Sequence, residues 1–130
     1  MSAPSRHPWQ GKRILLVEDD AAICYFLGCV LRKTGYFVGV AEDGTSGLRL
    51  FRGQPWDLVI ADRMMPGMDG EALASAIKME APAQPIILIT GFPRLVKQRE
   101  LFDAILSKPF SMADLLACVA ELLGDHAERI

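Results

Sequence analysis

The chain has 130 residues, 51% of them apolar, and its 14 basic and 16 acidic side chains leave a net charge of −2. That length suffices for one domain with a core that needs no metal or disulfide staple, and the charge balance excludes both a basic surface spread for nucleic acid and a polybasic tract for anionic lipid. Three cysteines (Cys24, Cys29, Cys118) with no Cys-x-x-Cys pair, and no signal-like or membrane-spanning apolar stretch, predict a reduced, cytoplasmic setting.

Residues 1–12, rich in Pro, Ser and basic groups, read as a flexible tail, residues 13–124 as the single domain, and 125–130 as a C-terminal tail. From Arg13 onward, short aliphatic runs alternate with amphipathic stretches, as in strands buried on both faces and joined by crossover helices. Strands are expected at Arg13 to Val17, Tyr36 to Ala41, Asp57 to Ala61, Ile86 to Thr90 and Ala104 to Ser107. The first helix shows Ile23, Leu27, Val30 and Leu31 at helical spacing, with Asp20 placed as its cap and Gly35 as its stop. A second runs from about Thr45 to Arg52, where Gly47 lowers helix propensity, and a third from Gly70 to Glu80. Between Gly91 and Asp103 the apolar residues form no clean stripe, which predicts one short, distorted helix. The last helix opens on Ser111 and Asp114, a capping-box pair, and carries Met112, Leu115, Leu116, Val119, Leu122 and Leu123 on one stripe ending at Gly124. The pattern is that of a flavodoxin-like α/β fold: a doubly wound, five-stranded parallel sheet of order 2-1-3-4-5 with a short or distorted fourth helix.

In such a sheet the loops at the carboxyl ends of the strands share one crevice. Glu18 and Asp19 follow the first strand, Asp62 the third, Thr90 the fourth and Lys108 the fifth. Three carboxylates brought together repel one another unless a cation joins them, and oxygen ligands without His or Cys select a hard ion such as Mg²⁺. A carboxylate can also attack a phosphoryl group to form an acyl phosphate; a lysine, a hydroxyl and a metal would then hold its oxygens, with Gly91 leaving room beside them.

From about Arg13 to Leu123 the chain resembles the receiver domain of two-component response regulators. The resemblance rests on the acidic pair after the first strand, Asp62 with Met65-Pro66-Gly67-Met68-Asp69-Gly70 behind it, Thr90-Gly91, and Lys108-Pro109-Phe110. It implies Asp62 as phosphoacceptor, Glu18, Asp19, Asp62 and the Met64 backbone carbonyl as Mg²⁺ ligands, Thr90, Gly91 and Lys108 around the phosphoryl group, and a cis Lys108–Pro109 bond. It implies as partners a sensor histidine kinase or phosphotransfer protein as donor and a separate effector downstream, without direct binding to nucleic acid or membrane.

The chain departs from that family at three places. Ile105 stands where an aromatic residue usually reports phosphorylation. Seventeen residues (91–107) separate Thr90 from Lys108, a few fewer than the family carries. Met64 and Phe92 stand where polar side chains can orient attacking water, which implies slow loss of phosphate. Two other functions compete: a phosphorylation-independent pseudo-receiver, and a phosphatase with an Asp nucleophile, which would need a second acid where Met64 stands. The chain is expected to turn over no independent substrate and so not to be an enzyme. Taken singly, Asp20 and Asp69 read as helix caps, Lys108 as a surface lysine, and Met64, Met65, Met68, Met79 and Met112 as packing. Trp9 and Trp56 have no assignable partner, and His7 and His126 lie in the tails.

Overall fold

Strand residues alternate faces, so a run of consecutive aliphatic residues can only be satisfied by a layer of helices on each side. The computed structural model, which describes residues 11–124, shows this arrangement. Its elements are β1 (Arg13–Val17), α1 (Ala21–Thr34), β2 (Phe37–Ala41), α2 (Gly44–Gly53), β3 (Leu58–Asp62), α3 (Gly70–Glu80), β4 (Ile86–Thr90), β5 (Ala104–Ser107) and α4 (Met112–Leu123). The strands are parallel in the order β2-β1-β3-β4-β5, as the alternation predicted. The expected tails fall largely outside the described residues, and so do Trp9, His7 and His126.

Two cores follow from the period of two. Ile14, Leu16, Leu58, Ile60, Ile87 and Ile89 face Leu27 and Leu31 of α1 and Leu115 and Val119 of α4. Leu15, Val17, Val59, Ala61 and Ile86 face Leu48 of α2 and Leu73, Ala74 and Ile77 of α3. Each fully buried Leu or Ile contributes about 1.5–3 kcal/mol, which offsets the ordering entropy of a small domain. Gly47, a weak helix former, is required here: a Cβ would lie 2.9 Å from a Val17 methyl carbon, where α2 meets β1.

The helix starts are locally encoded. Asp20 accepts from the Ile23 amide (3.0 Å), Asp43 from Ser46 (2.7 Å) and Asp69 from Ala72 (2.9 Å), while Ser111 and Asp114 form the expected reciprocal box. Gly35 and Gly124 end α1 and α4 with φ of 113° and 70°.

Some expectations need correction. The segment from Gly91 to Asp103 holds no distorted α-helix but two 3₁₀ turns, Pro93–Leu95 and Arg99–Leu101. Its apolar residues split: Val96 is buried while Phe92 and Leu95 are exposed, so no continuous stripe exists to hold a helix down. Strand β3 includes Asp62 as its last residue. Met64 and Met79 are not packing residues; they are 63% and 85% exposed. Trp56 does have partners: its indole donates to the Leu50 carbonyl (3.0 Å), and the Arg13 guanidinium lies 5.8 Å over its ring. The three cysteines are free thiols. No helix among the described residues is long and apolar enough to cross a membrane.

Candidate functional site

Strand register brings the polar residues level. Val17 pairs with Ala61, Asp62 with Ile89 and Thr90 with Ser107, so Glu18, Asp62, Thr90 and Lys108 all reach the carboxyl edge together. The amide of Glu18 donates to the Ala41 carbonyl (3.0 Å) and that of Lys108 to the Thr90 carbonyl (2.8 Å), which extends the ladder into the site. Gly70 lets the loop after β3 return closely: a Cβ there would stand 2.5 Å from the Asp62 carbonyl oxygen.

Glu18, Asp62 and Thr90 are 2%, 5% and 1% exposed. One carboxylate oxygen from each of Glu18, Asp19 and Asp62 lies within 4.8 Å of the others. Lys108 Nζ is 2.8 Å from Asp62 Oδ1. Burial pushes the Glu18 carboxyl up to about 7; the Asp20 amide, donating at 3.1 Å, opposes this, and the charge of Asp62 adds to it. For Lys108 burial works downward, yet the hydrogen bond and charge of Asp62, with Glu18 and Asp19 behind it, hold its ammonium above the usual value. One lysine does not neutralise three acids. The donor set fits a hard divalent cation, which would relieve the repulsion without a soft ligand.

A model of the response regulator receiver domain matches residues 14–120. This chain belongs to that family. Among curated relatives, it is 37% identical over 117 residues to the response regulator receiver protein CpdR of Brucella abortus, an alignment covering 86% of this chain and 97% of that one. It is 38% identical over 121 residues to the transcriptional activator protein PfeR of Pseudomonas aeruginosa, with 85% of this chain aligned but only 37% of PfeR. Among solved structures, the response regulator TrrA of Thermotoga maritima, determined with Mg²⁺ and BeF, superposes with a TM-score of 0.79 at 32% identity over 85% of this chain and 98% of that one. The receiver fold, the order 2-1-3-4-5 and the acidic cluster therefore agree with the resemblance drawn from the motifs. Receivers work in two-component systems with histidine kinases and effectors.

The receiver's remaining site positions are distinct. The Thr90 hydroxyl accepts from the Phe92 amide (3.0 Å), a role that leaves a hydroxyl's hydrogen able to donate. Gly91 is exposed, and a Cβ there would meet nothing within 4 Å. Phe92 and Met64 are each 63% exposed at the rim, and Ile105 is half-buried on β5. Lys108–Pro109 is cis. Asp20 and Asp69 serve as helix caps.

Sequence reasoning missed one buried group beside the site. Glu71, 7% exposed, accepts from the amides of Lys97 (3.0 Å) and Gln98 (2.9 Å) and pairs with Arg63 Nε (3.3 Å). Arg63, the residue after Asp62, also donates to the Leu95 carbonyl (3.4 Å). An acid in the first turn of a helix is ordinarily a partner for the helix dipole, so nothing in the sequence set Glu71 apart.

Proposed function

We propose that Asp62 is the phosphoacceptor of this cytoplasmic receiver and that a phosphohistidine, on a sensor kinase or phosphotransfer protein, is its donor. The observation that carries this is the Lys108 ammonium 2.8 Å from an Asp62 oxygen, with Glu18 and Asp19 completing a cluster within 4.8 Å. Mg²⁺ held by Glu18, Asp19, Asp62 and the Met64 carbonyl would neutralise charge on the transferring group. In transfer, an Asp62 carboxylate oxygen forms a bond to phosphorus as the phosphorus–nitrogen bond breaks, and the departing imidazole nitrogen keeps the electron pair. Lys108 balances charge on one phosphoryl oxygen and the Thr90 hydroxyl donates to another. The receiver consumes one phosphoryl group per switching event and turns over no independent substrate. Its output is a changed affinity for a separate effector protein, without direct contact to nucleic acid or membrane.

Intact-mass measurement after incubation with Mg²⁺ and acetyl phosphate tests this. One phosphoryl group on the parent and none on Asp62→Asn supports the assignment. No adduct on the parent would leave a pseudo-receiver that binds partners unphosphorylated. Steady release of phosphate over many turnovers would instead indicate a hydrolase, which the exposed, apolar Met64 disfavours because it offers no general acid.

A further inference from the structure

The fourth crossover lacks an α-helix, so something other than helical hydrogen bonding must hold it. Besides the Arg99 Nη2 bond to the Pro93 carbonyl within the segment (2.6 Å), three ties to neighbouring elements fasten its first half among the described residues. Phe92 N donates to the Thr90 hydroxyl (3.0 Å), Arg63 Nη2 donates to the Leu95 carbonyl (3.4 Å), and the amides of Lys97 and Gln98 both donate to Glu71 Oε1 (3.0 and 2.9 Å). Two of the three start at residues of the phosphoryl-transfer site or next to it: Thr90, and Arg63 directly after Asp62. Between Phe92 and Lys97 the chain is short and partly locked in the 3₁₀ turn Pro93–Leu95. A displacement imposed at Phe92 therefore has little slack in which to dissipate before it reaches the Glu71 carboxylate.

We propose that Arg63 and Glu71 form a clasp that carries the phosphorylation state of Asp62 to residues 92–98, in the role an aromatic residue at the position of Ile105 would otherwise fill. This rests on Asp62 being the phosphoacceptor. When the Thr90 side chain is drawn toward a phosphoryl oxygen, its own oxygen moves, and the Phe92 amide bonded to it must follow or release. The 3₁₀ turn shifts with Phe92, and the Leu95 carbonyl leaves or tightens on Arg63. Arg63 and Glu71 share one ion pair with side chains only 14% and 10% exposed, so the Lys97 and Gln98 amides register the change as altered protection. The surface that moves presents Phe92, Arg94, Leu95 and Lys97 to solvent, and Glu71 is thus a positioning residue for that surface.

The experiment is amide exchange at single residues, by NMR, on the full chain with Mg²⁺, before and after phosphorylation with acetyl phosphate, with intact mass recording the modified fraction. In the parent, the Lys97 and Gln98 exchange rates should change at least tenfold on phosphorylation, while β1 and β3 amides stay constant. Glu71→Gln should accept the phosphoryl group to the same stoichiometry, yet show faster exchange than the parent at both amides in either state, because a neutral amide oxygen accepts more weakly than a carboxylate. Arg63→Gln, which leaves both amide bonds to Glu71 in place, should keep the stoichiometry and lose most of the difference; it decides the matter should Glu71→Gln not fold. A phosphorylated parent with unchanged Lys97 and Gln98 rates overturns the clasp and leaves Asp62 as acceptor. A full phosphorylation-dependent difference in Arg63→Gln or Glu71→Gln overturns it too. A parent that takes up no phosphate overturns the acceptor assignment, and the clasp falls with it.

Discussion

Two buried glutamates on opposite sides of the Asp62 strand end have been driven in opposite directions. Glu18, 2% exposed, has its carboxyl pushed up to about 7 by burial, against which a single backbone amide and Lys108 work, while Asp62 reinforces the rise. Glu71, 7% exposed, suffers burial too, but the Gln98 amide, Arg63 and the Lys97 amide outweigh it and hold its carboxyl below the usual value. Burial alone therefore does not distinguish a working acid from a structural one. The difference lies in whether the surrounding groups complete the carboxylate's hydrogen bonds and charge. Glu71 is complete within the chain; Glu18 faces other acids, a setting that a hard cation would complete.

The sharpest way to break this contrast is to remove each acid in turn. Glu71→Leu leaves Arg63 with a partly buried charge lacking its counter-ion and strips two amides of their acceptor, so the loss of stability should reach about 3 kcal/mol. Urea unfolding at neutral pH checks it, and a loss below about 1 kcal/mol, the ordinary worth of one hydrogen bond, would show that Glu71 holds nothing important.

Glu18→Gln should act in the reverse sense. A carboxyl whose folded pKa is raised contributes its full stability below the unfolded value of 4.5 and loses it as pH rises through about 7. At pH 8 in a chelator, the uncharged variant should therefore be more stable than the parent, by ~1–3 kcal/mol. That advantage should shrink toward zero by pH 4, and Mg²⁺ should stabilise the variant far less than the parent. Calorimetry at the two pH values, with and without Mg²⁺, reads both effects; a variant less stable than the parent at pH 8 would mean that the acidic cluster is already satisfied without a metal.

Met64 stands two residues beyond Asp62 and Phe92 two beyond Thr90. Both expose large apolar surface at the rim. Replacing them together, Met64→Asn with Phe92→Glu, gives incoming water polar partners, and loss of phosphate should accelerate by roughly tenfold, or ~1.4 kcal/mol of barrier. The decay of the phosphorylated mass with time measures it. An unchanged rate would move control of lifetime away from the rim.

The same contrast explains what the sequence disclosed. Asp62, Thr90 and Lys108 were legible because each follows or ends an apolar run, and parallel topology sends all such positions to one edge. Trp56 and Glu71 were not legible, because their meaning lies in partners distant along the chain: a backbone carbonyl for Trp56, two amides and an arginine for Glu71. Backbone amides at Lys97 and Gln98 carry no side-chain signature at all. The 3₁₀ turns between β4 and β5 escaped for a related reason, since their hold comes from Thr90, Arg63 and Glu71 rather than from any periodicity of their own. Met64 was taken for packing because methionine is apolar, yet it is exposed while the adjacent Met65 is buried, a difference that residue type alone does not encode.

Asp19 and Asp20 offer the finest test, because adjacent and identical side chains are assigned different work. Asp20 accepts from the Ile23 amide at the start of α1, and its own amide is the donor that partly offsets the charge on Glu18. Asp19 contributes an oxygen to the acidic cluster, and Asp20 does not. Asp20→Ala should therefore cost about 1 kcal/mol in urea unfolding, the usual worth of an N-cap, and shift the Mg²⁺ affinity by less than about twofold. Asp19→Ala should do the opposite, weakening Mg²⁺ binding at least tenfold while leaving metal-free stability unchanged or slightly raised, since one repelling charge is gone. Titration of Mg²⁺ against the two variants separates the roles. Equal losses of affinity would mean that the α1 cap and the metal site are one structure, with the Asp20 amide fixing Glu18 in the position a cation needs.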